Sequence, residues 1–109
     1  MFKLDLRLDQ LIIKEYPLED GDTLAIGRHP DNQIVVAHPT VSRRHACIAR
    51  KGEDLVLWDA GSTNGTLVNG AKVTSAMLKD GDFVGIGETH TLKVSISEAE
   101  KEEETLTAE

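Results

Sequence analysis

Apolar residues in this chain fall on alternate positions, in runs too short to make helices. Phe2, Leu4, Leu6 and Leu8 share one parity, with Lys3, Asp5 and Arg7 between them. That alternation describes a strand buried on one face. Short apolar runs recur at 11–13, 24–26, 34–36, 46–49, 55–58, 66–68, 83–86 and 92–96. Turn formers bound them, as in Glu19-Asp20-Gly21-Asp22, His29-Pro30-Asp31-Asn32, Lys51-Gly52-Glu53-Asp54 and Lys79-Asp80-Gly81-Asp82. Asn69-Gly70 separates Thr66-Leu67-Val68 from Ala71-Lys72-Val73. Two residues that accept a positive φ between two strands predict a tight hairpin. No stretch of helical length repeats at 3.6. The spacing predicts roughly ten short strands, hence an all-β sandwich or barrel.

With 109 residues the chain is one domain, and 39 % hydrophobic residues supply a single core with little to spare. No run approaches the roughly 18 apolar residues of a membrane span. The opening Met-Phe-Lys-Leu-Asp alternates charge with apolar residues, unlike a secretion signal. Cys47 is the only cysteine, so neither an internal disulfide nor a cysteine-based metal site can be built. A reducing, cytoplasmic setting is expected, with Cys47 an ordinary strand residue. The net charge is −7, and the stretch from Ser97 onward, with six glutamates and one lysine, holds most of it. The remainder is nearly balanced and shows no basic face, which argues against nucleic-acid binding.

Three segments carry unusual residue choices, all at run ends where loops are expected. In Ile26-Gly27-Arg28, a glycine that lets another backbone come close precedes an arginine. A guanidinium offers a planar fork of donors suited to phosphate oxygens. By itself the pair also fits a surface arginine after a turn. In Val41-Ser42-Arg43-Arg44-His45, preceded by His38-Pro39-Thr40, Ser42 can donate to an anion and Arg43 adds charge. The same residues also suit a kinase substrate site or a solvated turn. His45 opens an apolar strand and is expected to be interior, bonded to backbone. In Gly61-Ser62-Thr63-Asn64-Gly65-Thr66, small hydrogen-bonding residues between glycines suit peptide binding, or a turn that bonds to itself.

The order and spacing of these segments say more than any one of them. Ile26-Gly27-Arg28, Val41-Ser42-Arg43-Arg44-His45-Ala46, Ser62-Thr63-Asn64-Gly65-Thr66 and Val68-Asn69-Gly70 are followed by Leu78 with Gly81-Asp82 and Ile86-Gly87. Over about residues 4–96 this resembles the forkhead-associated (FHA) domain, with no departure at a signature position. The resemblance implies a sandwich of two antiparallel sheets with about eleven strands and recognition loops at one end. It implies a module that binds phosphothreonine, preferred over phosphoserine because the extra methyl fills a small apolar pocket. Arg28 and Ser42 would hold the phosphate, with Arg43 beside it. Thr63 would help hold the phosphothreonine, and Asn64 would bond the peptide main chain. Gly27, His45, Gly65 and Asn69 would be architectural.

The expected function is therefore an adaptor in serine/threonine-kinase signalling, bound to a phosphothreonine protein, a kinase or its substrates. The alternative is a scaffold that assembles without phosphorylation. Catalysis is not expected. His29, His38, His45 and His90 lack metal-ligand spacing, and no nucleophile elbow or Gly-Lys-Ser/Thr loop is present. Neither cofactor, metal, membrane nor nucleic acid is expected, and a monomer is the default. Residues 1–97 are expected to form the domain. Residues 98–109 read as an acidic, disordered tail or linker, in which Thr105 and Thr107 follow an acidic run that suits an acidophilic kinase.

Overall fold

The computed structural model describes residues 1–97; the acidic segment with Thr105 and Thr107 lies outside the described residues. Eleven strands follow one another: β1 Phe2–Leu8, β2 Leu11–Leu18, β3 Thr23–Gly27, β4 Ile34–Val35, β5 Ala46–Lys51, β6 Asp54–Asp59, β7 Thr66–Val68, β8 Ala71–Val73, β9 Ser75–Leu78, β10 Phe83–Ile86 and β11 His90–Ile96. They form a six-stranded sheet in the order β2-β1-β11-β10-β7-β8 and a five-stranded sheet in the order β4-β3-β5-β6-β9. The architecture is a sandwich, and the barrel alternative falls away. No helix among the described residues is long and apolar enough to cross a membrane.

The alternation in the sequence sets the core. Leu4, Ile26, Ile48, Leu57, Ile86 and Leu92 are fully buried between the sheets. On β1 the opposite parity is polar: Lys3, Asp5 and Arg7 pair across the sheet with Ser95, Lys93 and Thr91. The Asn69-Gly70 hairpin forms as expected, Thr66 opposite Val73, with positive φ at both turn residues (51° and 87°). β9 belongs to none of the predicted runs. Its Ser-Ala-Met-Leu sequence has a single buried anchor, Leu78, and its strand character comes from pairing with β6.

All pairings are antiparallel except β3 with β4, where Ile26 faces Ile34 and Gly27 faces Val35 in parallel. The connection, residues 28–33, is shorter than a regular parallel crossover allows. A two-residue β4 and the side chain of Asn32 make it possible, because the Asn32 amide bonds the carbonyls of His29 and Arg43.

Strand direction sorts the loops. Residues 28–33, 36–45, 60–65 and 87–89, with the β1–β2 turn at Asp9 and Gln10, share one end. The other end holds two turns of the same design. Asp22 and Asp82 each accept from the backbone N–H three residues earlier, at Glu19 and Lys79. Asp20 and Asp80 each take an N–H from a neighbouring segment, at Gly52 and Ile96.

Candidate functional site

Gly27 ends β3 where the next loop passes almost against it. A Cβ there would lie 2.1 Å from the Arg43 carbonyl oxygen and 2.7 Å from the Asn32 amide nitrogen, so no side chain fits. The close approach lets Arg28 N–H donate to Ser42 O at 3.0 Å and His29 N–H to Arg43 O at 3.3 Å. The loop carrying Arg28 is thereby stitched to the loop carrying Ser42 and Arg43.

Arg28 then folds back on its partner loop. Its Nε donates to Val41 O at 3.0 Å, which fixes the guanidinium plane. The two terminal nitrogens have no protein partner among the described residues. Arg28, His29, Pro30 and Arg43 line an open cleft of about 260 Å³. The tandem arginines part company: Arg43 turns into this cleft, while Arg44 donates to Asn32 Oδ1 at 3.2 Å.

His45 ties the Ser42 loop to the segment between β6 and β7. It is completely buried. Its Nδ1 accepts from Ser42 N–H at 3.1 Å, which leaves the proton on Nε2 to donate to Gly65 O at 2.9 Å. Ser42 Oγ accepts from Thr63 N–H at 2.9 Å, and Asn64 Nδ2 donates to Thr40 O at 2.8 Å. Five residues singled out in the sequence, Arg28, Ser42, Arg43, Thr63 and Asn64, therefore sit at one end on three interlocked loops. Gly27, His45 and Gly65 lie directly beneath them. Asn69 does not: it shapes the hairpin at the far end and exchanges hydrogen bonds with Asp82 and Phe83.

Asp59, at the end of β6, organises the third loop. Its carboxylate accepts from the N–H groups of Gly61 and Ser62 and from the hydroxyls of Ser62 and Thr66. Partial burial pushes its pKa up, but the bonds from Ser62, Thr66 and Gly61 outweigh that and bring it down to about 2. On the far side of Thr40, His38 and His90 stand with ring centroids 6.0 Å apart. Burial lowers the His90 imidazole and His38 lowers it further, against Asp9, which pulls it up. Cys47 is half-buried, and burial raises its thiol against the opposing pull of Arg44, which disfavours the thiolate that reactivity needs. Among the described residues, no cluster of His, Cys, Asp or Glu comes together to hold a metal ion.

Chemically, the end presents the free donors of Arg28 and the charge of Arg43 in one concavity, with Ser42 and Thr63 on the loops that adjoin it. That composition suits a small multivalent anion. The FHA domain family model matches residues 24–87. The chain belongs to the FHA family. The match leaves out β1, β2 and β11, half of the six-stranded sheet, although the structure packs them into the same FHA sandwich.

Over 83 residues, 71 % of the chain, it is 43 % identical to an oxoglutarate dehydrogenase inhibitor of Corynebacterium jeikeium. Over the same length it is 45 % identical to the glycogen accumulation regulator GarA of Mycolicibacterium smegmatis. These alignments span 58 % and 52 % of the two proteins, so the chain accounts for little more than half of either. A solved structure from an analysis of phosphothreonine-dependent FHA domain interactions superposes with a TM-score of 0.76 at 37 % identity. That likeness covers 87 % of this chain and 97 % of the other.

Sequence reasoning passed over three residues of this FHA end: Asn32, Thr40 and Asp59. Asn32 is 95 % buried, with both ends of its amide engaged. Thr40 holds Asn64 through its carbonyl, and its Oγ1 accepts from Glu88 N–H. A local signal existed only for Asp59, an acceptor two residues before the first glycine of the loop.

Proposed function

We propose that this FHA domain binds phosphothreonine-containing segments of partner proteins and works as an adaptor in serine/threonine-kinase signalling. The carrying observation is the Arg28 guanidinium, anchored by Nε on Val41 O, with both terminal nitrogens unpartnered among the described residues in the cleft it shares with Arg43. A phosphorylated threonine brings about −1.5 to −2 charges and three acceptor oxygens. Arg28 and Ser42 take the phosphate, Arg43 lies alongside, Thr63 supports the phosphothreonine and Asn64 bonds the peptide main chain. Gly27, His45, Gly65 and Asn69 hold the framework. The phosphothreonine-dependent binding studied in the solved relative supports the reading.

The domain works without catalysis, in the cytoplasm; the names inhibitor and regulator borne by its relatives agree with a binding role. Its boundaries are 1–97, with 98–109 a tail or linker, because β1 and β11 are packed into the sandwich although they lie outside the family match. A scaffold independent of phosphorylation has no comparable observation in its favour.

The test is a titration with phosphothreonine peptides against Arg28→Ala. Removing one partner of a hydrogen-bonded charge pair costs about 2–5 kcal/mol, roughly 30-fold to several-thousand-fold in affinity. The melting temperature should stay near that of the parent, because Arg28 is exposed. A phosphoserine version of the peptide should bind more weakly, by about 10- to 200-fold, for want of one methyl. Near-normal affinity in Arg28→Ala would refute the assignment.

A further inference from the structure

Four large aliphatic side chains lie open at the tip of the β1–β2 hairpin. Leu8 and Leu11 face each other across the hairpin, Ile12 stands opposite Arg7 on the other face of the sheet, and Ile13 follows; their exposures are 38, 69, 43 and 50 %. Scattered exposed aliphatics are ordinary, but four gathered around both faces of one hairpin tip with a polar rim mark an interaction surface. Asp9, Gln10 and Lys14 supply that rim.

The patch is uncovered for a topological reason. β8 and β9 are joined by Thr74 alone, so the two sheets meet on that side. On the other side β2 lies over β4, and β4 is only two residues long. The lower half of β2 still packs, with Tyr16 half-buried and Leu18 buried. Its upper half, which pairs with Arg7 and Leu8, leaves Leu11, Ile12 and Ile13 exposed. β2 is also an edge strand, and Pro17, which has no N–H, blunts its lower half. A register shift opposite Leu6 and Arg7 leaves Ile13 as the extra residue of a bulge. The open part of the edge thus coincides with the aliphatic residues.

What the patch adjoins decides its occupant. Leu8 pairs with His90, and the His90 ring stands 6.0 Å from that of His38. His38 Nδ1 lies 2.8 Å from Thr40 Oγ1, and Thr40 O holds Asn64. The aliphatic patch therefore begins where the peptide-binding loops end. Followed along these contacts, the path from Leu8 to Asn64 is on the order of 15 Å, about five residues of extended chain.

From this continuity we infer that the hairpin tip is a second contact surface for the phosphorylated partner, receiving aliphatic side chains about five residues from its phosphothreonine. The inference rests on the phosphothreonine reading of the loop end. It makes affinity depend on two features, the dianion in the cleft and an apolar flank on the hairpin, and that discriminates among proteins that share a phosphothreonine.

The probe is a phosphothreonine peptide library with ten random positions on each side, passed over the full chain. Leu, Ile, Val or Phe should be enriched about five positions away on one flank. Peptides selected this way should bind roughly tenfold more tightly than their seven-residue cores, the value of about two half-buried aliphatic groups. The variant L11S/I12S/I13S, altered only at exposed positions, should keep phosphate-dependent binding and lose both the enrichment and the tenfold difference. Met77→Ser, an exposed change on β9, should behave as the parent. Phosphate-dependent capture without aliphatic enrichment, or enrichment that survives in the triple variant, would overturn the inference alone. So would self-association that the triple variant abolishes, since a second copy would then occupy the patch. If no phosphopeptide is retained, the phosphothreonine reading fails and this inference goes with it.

Discussion

Asp59 shows how one side chain holds a loop of the proposed binding end. Four donors converge on its carboxylate, two from backbone and two from hydroxyls. Only the ionised form accepts all of them well, and its pKa accordingly falls from 3.8 to about 2. A group with a lowered folded-state pKa contributes stability that is complete above the unfolded value and is lost as pH falls through the folded value. The window here runs from about pH 4 down to about pH 2. Full linkage would give roughly 2 kcal/mol, and solvent screening at this half-exposed position brings it nearer to about 1. Urea unfolding of the parent and Asp59→Asn should differ by about that amount at pH 5, with the parent more stable. The gap should close below pH 2. A gap that stays constant across this range would show that the carboxylate charge contributes nothing to the loop.

Strands and loops divide what the chain makes legible from what it hides. Alternation along β1 and the short runs at β3, β5, β6, β10 and β11 follow from burial on one face, which each residue expresses locally. The Asn69-Gly70 turn is equally local, because its backbone angles depend on those two residues. β9 is hidden because its strand state depends on β6, and the parallel β3–β4 step because it depends on Asn32 bonding across loops. In the same way the sequence marks Arg28, Ser42 and Asn64 by residue type and spacing, but Thr40 works through its carbonyl, which any residue carries. His45 is the element on which this non-local order turns, because it joins the loop after β4 to the segment before β7. His45→Ala would leave the Ser42 N–H and the Gly65 carbonyl without their buried partner and open a cavity, costing about 2–4 kcal/mol. Chemical denaturation should register that loss. Phosphopeptide affinity, measured where the variant is still folded, should fall as well, because Ser42 and Thr63 lose their common brace. Unchanged affinity in a folded His45→Ala protein would show that the loops keep their spacing without it.

Charge is arranged against itself on the scale of the whole molecule. Two arginines line the binding cleft, yet the chain carries −7 overall, and residues 98–109 hold six glutamates and one lysine of that balance. A phosphopeptide is an anion, so the net charge of the molecule repels it while the cleft attracts it. The screening length decides which one it feels: about 30 Å at 0.01 M salt and about 10 Å at 0.1 M. In dilute buffer the ligand senses the whole molecule, and repulsion offsets the pull of Arg28 and Arg43. Near 0.1 M salt the repulsion from the net charge is screened and the short-range pairs in the cleft remain. Affinity should therefore change little, within about threefold, from 0.01 to 0.1 M, and decline only at higher salt as the cleft itself is screened. A chain ending at Ser97 loses five net negative charges, and the low-salt offset should go with them. Its affinity should then fall continuously from the lowest salt upward. Isothermal titration of both chains across that range distinguishes the two behaviours, and a steep, continuous fall in the full chain would show that the acidic residues are not felt by the ligand.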